Sequence, residues 1–167
     1  MAEEGLNIVL VGMMGAGKTY IGQKLAKLVS HFNYVDIDEE IEKSEKLSIP
    51  EIFAQYSEDY FRNCEKETIE KFSKLQNQII ATGGGSFENP ENVMNLKSTG
   101  VTFYLKATPK ELYSRLVSKN DEIESRPLIK NDFSVEKLQN LLKKREKNYK
   151  KAHFTIDTNQ KQAYTIL

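Results

Sequence analysis

One junction constrains this chain more than any other: an apolar strand that breaks at a glycine and restarts at a lysine. Leu6 to Val11 reads as a short buried strand. It runs straight into Gly12-Met13-Met14-Gly15-Ala16-Gly17-Lys18-Thr19, which fits G-x-x-x-x-G-K-[ST] at every fixed position. Lys18 to Ser30 then carries Ile21, Leu25 and Leu28 on one helical face. Glycines let the backbone wrap closely and turn its N–H groups inward. The helix N-terminus adds positive potential. Lys18 supplies a mobile point charge, and Thr19 a hydroxyl oxygen for the hard cation Mg²⁺. All eight residues are therefore candidates to cradle a nucleoside triphosphate. The bland alternative is a ligand-free glycine turn, and the strand–loop–helix context weighs against it. The motif says nothing about an acceptor.

The rest of the chain alternates. Tyr34 to Ile37, Gln78 to Thr82, Val101 to Leu105 and Phe154 to Ile156 read as further strands. Helices are expected over Asp38 to Lys46, after Ser48 with Pro50 in the first turn, over Ser57 to Leu75, over Pro90 to Leu96, from Pro109 through Leu112 and Leu116, and after Ser134. Five strands with helices between them imply an α/β fold, a parallel sheet covered on both faces. At 167 residues with no internal repeat or linker, one domain over 1–167 is expected. Residues 118–132 are polar and unpatterned, and a loop of that length is a candidate lid.

Charge and composition exclude some classes. Lys plus Arg is 24 and Asp plus Glu is 24, so there is no strongly basic nucleic-acid footprint. The lysine-rich run around Lys143-Lys144 and Lys150-Lys151 is simplest as the solvated face of a helix. The longest apolar stretch, Ile8 to Gly17, is too short for a bilayer, which takes roughly 20 residues. Met1 to Gly5 is acidic and carries no signal-like positive region. With a single cysteine, Cys64, these features point to the cytoplasm, with no membrane and no nucleic-acid partner; a monomer is expected. Cys64 falls on the apolar side of its helix and reads as a packed thiol. His31 and His153 lack metal-ligand spacing and read as structural or solvated.

Four further elements suggest a second ligand. Asp36 and Asp38 stand at the end of the second strand, and strand alternation would point both to one side. There, one carboxylate can help hold Mg²⁺ through water and the other can accept a proton or hydrogen bond from a substrate hydroxyl. The competing reading has Asp38 merely capping the next helix. Phe61-Arg62-Asn63-Cys64-Glu65 puts Arg62 and Glu65 on one helical face, an arrangement that taken alone is more often an inconsequential surface pair. Gly83, Gly84 and Gly85 follow the third strand and leave backbone amides open. Arg145 lies on the apolar stripe of Leu138, Leu141, Leu142 and Tyr149, where a charge must be paired or line a site; its planar fork suits a carboxylate.

Together with Arg126-Pro127-Leu128, these motifs resemble the shikimate kinase family over nearly the whole chain. The resemblance implies a three-layer α/β/α P-loop NTPase fold with strand order 2-3-1-4-5 and a mobile lid. It also implies transfer of the γ-phosphate of ATP to the 3-hydroxyl of shikimate, a step of aromatic amino-acid biosynthesis. Under it, Asp38, Arg62, Gly83, Gly84, Gly85 and Arg145 bind shikimate, with the two arginines on its carboxylate. Asp36 sits near Mg²⁺ with Thr19, Arg126 on the lid reaches the transferring phosphate, and Arg115 lies on the adenine side. Lys18, Asp38 and Arg126 are the catalytic candidates. The spacing from Arg115 to Arg126 is a few residues longer than is usual in the family, and the tail after Asp157-Thr158 is shorter, so the adenine pocket is expected to be built differently. A related kinase for another hydroxy acid, such as gluconate, is the alternative; Arg62, Arg145 and the three glycines favour the first. A nucleotide switch is the other, but Ser118-Lys119-Asn120-Asp121 does not match the N-K-x-D guanine motif it would need.

Overall fold

The computed structural model describes residues 5–118 and 133–159. The expected lid at 118–132, but for Ser118, lies outside them, and so does Arg126. Five strands form one parallel sheet: β1 (Asn7–Val11), β2 (Asn33–Asp36), β3 (Gln78–Ala81), β4 (Gly100–Lys106) and β5 (Phe154–Asp157), in the order β2-β3-β1-β4-β5. Helices α1 (Lys18–Leu28), α2 (Ile37–Glu45), α3 (Ile49–Gln55), α4 (Glu58–Ser73), α5 (Pro90–Thr99), α6 (Pro109–Val117) and α7 (Val135–Tyr149) connect and cover the strands. The central strands read as apolar runs because both faces are covered: Val9, Val11, Ile79, Ile80 and Leu105 are buried, and Leu112, Leu116, Leu138 and Tyr149 close on them from α6 and α7.

Local chemistry explains most boundaries. Ser48 and Glu51 form a reciprocal capping box at the start of α3, with Pro50 in its first turn. Ser57, Asn89, Thr108 and Ser134 cap α4, α5, α6 and α7 through their side chains. The second strand departs from expectation. It ends at Asp36, whose Oδ1 accepts the backbone N–H of Asp38 at 3.1 Å and so begins α2 at Ile37. Asp38 therefore occupies a first helical turn rather than an alternating strand position, and Asp36 is the cap. Leu28, expected on the buried face of α1, is 68% exposed because the helix stops there.

The singletons are structural. His153 Nδ1 accepts the N–H of Thr102 at 3.1 Å, and His31 rests against the ring of Phe32. Cys64 is half-buried, and burial followed by the nearby Glu45 pushes its thiol pKa up, which disfavours the reactive thiolate.

Asn7 ties together the end of the molecule opposite the strand termini that lead into the loops. Its side chain donates to Ser73 O at 3.1 Å and Leu75 O at 2.8 Å, and accepts from Gln78 N at 2.9 Å. It thus joins β1 to the end of α4 and the start of β3. Asn7→Ala is expected to lower the unfolding free energy by about 2–3 kcal/mol, since buried partners are left unsatisfied. Urea denaturation measures this, and a loss below about 0.5 kcal/mol would show that water replaces the amide.

Candidate active site

The phosphate loop departs from the carboxyl end of β1, where ligands of open α/β sheets gather. Gly12, Gly15 and Gly17 have φ of 147°, 77° and 95°, a region that residues with a Cβ rarely adopt, and Gly17 caps α1 in the left-handed conformation. Lys18 folds back over the loop, its Nζ donating to Gly12 O at 2.8 Å and Met13 O at 3.0 Å. Arg115 braces the loop from α6. Its Nε donates to Glu111 at 2.9 Å, and its Nη1 reaches Ala16 O at 3.4 Å and Thr158 Oγ1 at 3.3 Å, with Nη2 on Thr158 O. The expected adenine-side arginine is thus placed between the phosphate loop and the segment following β5.

Thr19 Oγ1 donates to Asp36 Oδ2 at 2.9 Å, and the Tyr34 hydroxyl donates to the same oxygen at 3.1 Å. Two hard oxygen donors beside the phosphate loop fit Mg²⁺, which keeps most of its shell as water and phosphate. Among the described residues no cluster of three or more His, Cys, Asp or Glu offers an all-protein metal cage.

The residues expected to bind the acceptor surround the loop after β3. A Cβ on Gly83 would stand 2.8 Å from both Asp38 Oδ1 and Glu65 Oε1. One on Gly85 would stand 2.7 Å from both Arg62 Nη atoms, and one on Gly84 would stand 3.7 Å from Arg145 Nη1 and 3.6 Å from Met14 N. Three glycines are thus what lets this loop pass among Asp38, Glu65, Arg62, Arg145 and the phosphate loop. The structure gathers every described residue expected to bind the acceptor around this one loop.

The Arg62–Glu65 pair is not a surface pair. Glu65 is 1% exposed; its Oε2 accepts Arg62 Nη1 at 2.9 Å and its Oε1 accepts Ser86 Oγ at 2.6 Å. Burial opposes the charge on Arg62, but Glu65 and then Glu58 outweigh it and raise its pKa further. Arg145 is buried, with its Nε on Glu88 and its Nη1 on the Gly84 side. Tyr149, one turn after Arg145, donates its hydroxyl to Gly84 O; burial pushes its pKa far up, so it remains a donor. Ser86, Glu88, Tyr149, Tyr34 and Thr158 were not legible as site residues. The i,i+4 step from Arg145 to Tyr149 was the one available signal, and it was absorbed into the apolar stripe.

A phosphate loop opening α1, set against a three-glycine loop flanked by an acid and two arginines each paired to a glutamate, defines a P-loop phosphotransferase. The sequence model described as Shikimate kinase matches residues 14–167. A shikimate kinase of Caldanaerobacter subterraneus subsp. tengcongensis is 43% identical over 155 residues, 93% of this chain and 88% of that protein. The solved shikimate kinase of Acinetobacter baumannii, in complex with shikimate, superposes with a TM-score of 0.90 at 36% identity over 98% of this chain and 89% of that one. That of Aquifex aeolicus gives 0.80 at 32% identity, over 96% and 91%. The chain belongs to the shikimate kinase family: it is an ATP-dependent phosphotransferase with an alcohol acceptor, shikimate.

Glu65 is the buried counter-charge on which the acceptor side rests. Glu65→Gln keeps the shape and removes the charge that holds Arg62. It is expected to lower the unfolding free energy by about 2 kcal/mol, because a charge-assisted hydrogen bond is lost while the Ser86 contact survives. Urea unfolding of both proteins reads this directly; wild-type stability in the variant would mean Arg62 is held by Glu58 alone.

Proposed function

We propose that the kinase moves the γ-phosphate of ATP to the 3-hydroxyl of shikimate with the following division of labour. Gly12 to Thr19 cradle the phosphates through backbone N–H groups, and Lys18 leaves its resting contacts on Gly12 and Met13 to neutralise the outer phosphates. Thr19 and Asp36 would hold Mg²⁺, Asp36 through water, and the cation would supply neutralisation of charge on the phosphate oxygens. Arg62 and Arg145 hold the acceptor carboxylate, with Gly83, Gly84 and Gly85 forming the floor of its site. Asp38 orients the acceptor hydroxyl and takes its proton as the oxygen attacks in line. Arg115 lies along the adenine side.

The same reading assigns 118–132, outside the described residues but for Ser118, as the lid of a single domain 1–167, with Arg126 to meet the charge that develops on the transferring group. Exclusion of water by that lid prevents hydrolysis of ATP in place of transfer. The enzyme acts as a monomer in the cytoplasm; no described helix is long and apolar enough to cross a membrane.

The observation that carries this reading is the proximity of Asp38, Arg62 and Arg145 to one three-glycine loop, itself against Met14 of the phosphate loop. A coupled assay of ADP release tests it. ADP should form with shikimate and not with gluconate. Asp38→Asn should lower kcat by roughly 100-fold or more with ATP affinity kept, as removal of a general base does. Arg145→Lys keeps the charge and loses the fork, so KM for shikimate should rise about tenfold or more with little change for ATP. An equal rise for both substrates would make Arg145 structural, and collapse of ATP affinity in Asp38→Asn would move that residue to the nucleotide side.

A further inference from the structure

Asp36 is held by three donors from three different places. Its Oδ1 accepts the N–H of Asp38, and its Oδ2 accepts both the Thr19 hydroxyl at 2.9 Å and the Tyr34 hydroxyl at 3.1 Å. The role of the first two is apparent: one begins α2 and one belongs to the phosphate loop. Tyr34 has no role in the reaction described so far, yet its position is built. Its ring lies against α1 at Gly22, one turn beyond Thr19. A Cβ there would stand 2.6 Å from Cε2 and 3.0 Å from Cδ2 of the ring. Glycine is a poor helix former, and here its missing side chain is the space the ring occupies. The ring is therefore wedged between β2 and α1 with its hydroxyl at the carboxylate.

The chemistry of Thr19 gives this contact a consequence. A hydroxyl has one proton and two lone pairs. With the proton pointed at Asp36, the lone pairs of Thr19 are free for a cation. That orientation lasts only while Asp36 stays in place, and a carboxylate at a strand end turns readily about its two torsions. The Tyr34 hydroxyl supplies the proton of its contact, since a carboxylate oxygen can only accept.

We infer that Tyr34 is a positioning residue of the cation site, locking Asp36 so that Thr19 presents its oxygen to Mg²⁺. This rests on the reading of Thr19 and Asp36 as the Mg²⁺ side of the site.

Titration calorimetry of ADP, once with saturating Mg²⁺ and once with EDTA, isolates the gain in affinity that Mg²⁺ confers. Tyr34→Phe removes one oxygen and keeps the ring. It should cut that gain about fivefold, the loss expected for one hydrogen bond to a charged group, and leave ADP affinity in EDTA and KM for shikimate unchanged. Gly22→Ala keeps the hydroxyl but displaces the ring, and should cut the gain in the same direction. Asp36→Asn is the reference and should abolish most of it. An undiminished gain in Tyr34→Phe overturns the proposal, as does an equal loss of ADP affinity with and without Mg²⁺, which would make the tyrosine a packing residue. If Asp36→Asn also retains the full gain, the reading of the Mg²⁺ site itself fails.

Discussion

Parallel pairing of β3 with both β1 and β2 brings three strand ends into one row. Leu10, Ala81 and Asp36 are register partners across those strands, and Thr82 reinforces the row by donating its N–H and its hydroxyl to Leu10 O at 3.1 and 3.0 Å. Just beyond the row, β1 runs through Val11 into the phosphate loop, β2 gives way to the first turn of α2, and β3 leads through Thr82 into the three glycines. A one-residue slip of β2 would turn its side chains to the other face of the sheet, and Asp36 would lose Thr19. The buried Val35 of β2 resists such a slip, because it would leave its place in the core. Packing in the sheet thus sets the distances that the chemistry needs.

The site arginines share one construction. Arg62 is held by Glu65 and Glu58, Arg145 by Glu88, and Arg115 by Glu111. A guanidinium has five donors, so each acid takes one edge and leaves others for carbonyls or a ligand. The side-chain freedom of each arginine is lost during folding rather than on binding, which favours affinity. The same pairing lets a chain of zero formal charge concentrate cationic groups around the phosphate and glycine loops without leaving a buried charge uncompensated.

Backbone and side chain cooperate in the glycine loop. Side chains at 83 and 85 would collide with Asp38, Glu65 or Arg62, and the Gly84 carbonyl is engaged by Tyr149 from α7. That hydroxyl links the end of α7 to the glycine loop, next to the arginine four residues earlier on the same helix. Movement of α7 would carry Arg145 and Tyr149 together, so the arginine and the glycine loop stay in register.

The elements, the phosphate loop and the acceptor motifs were legible in the chain because each rests on local rules: apolar runs for strands, Ser, Thr and Asn caps for helices, glycines where φ is positive. Strand order 2-3-1-4-5 came from the family resemblance, since alternation of elements permits several orders. Two local inferences gave way. Strand alternation at Asp36 and Asp38 yielded to a side-chain cap, which competes with strand extension for the same N–H. The Arg62–Glu65 pair, indistinguishable by spacing from a surface pair, has a buried acid because Ser86 and the glycine loop close over Glu65. Glu88, Tyr34, Thr158 and Ser86 were decided by tertiary structure alone. Each acts through a partner distant in sequence or through a short side-chain contact that has no periodic signature, and only the folded chain sets those approaches.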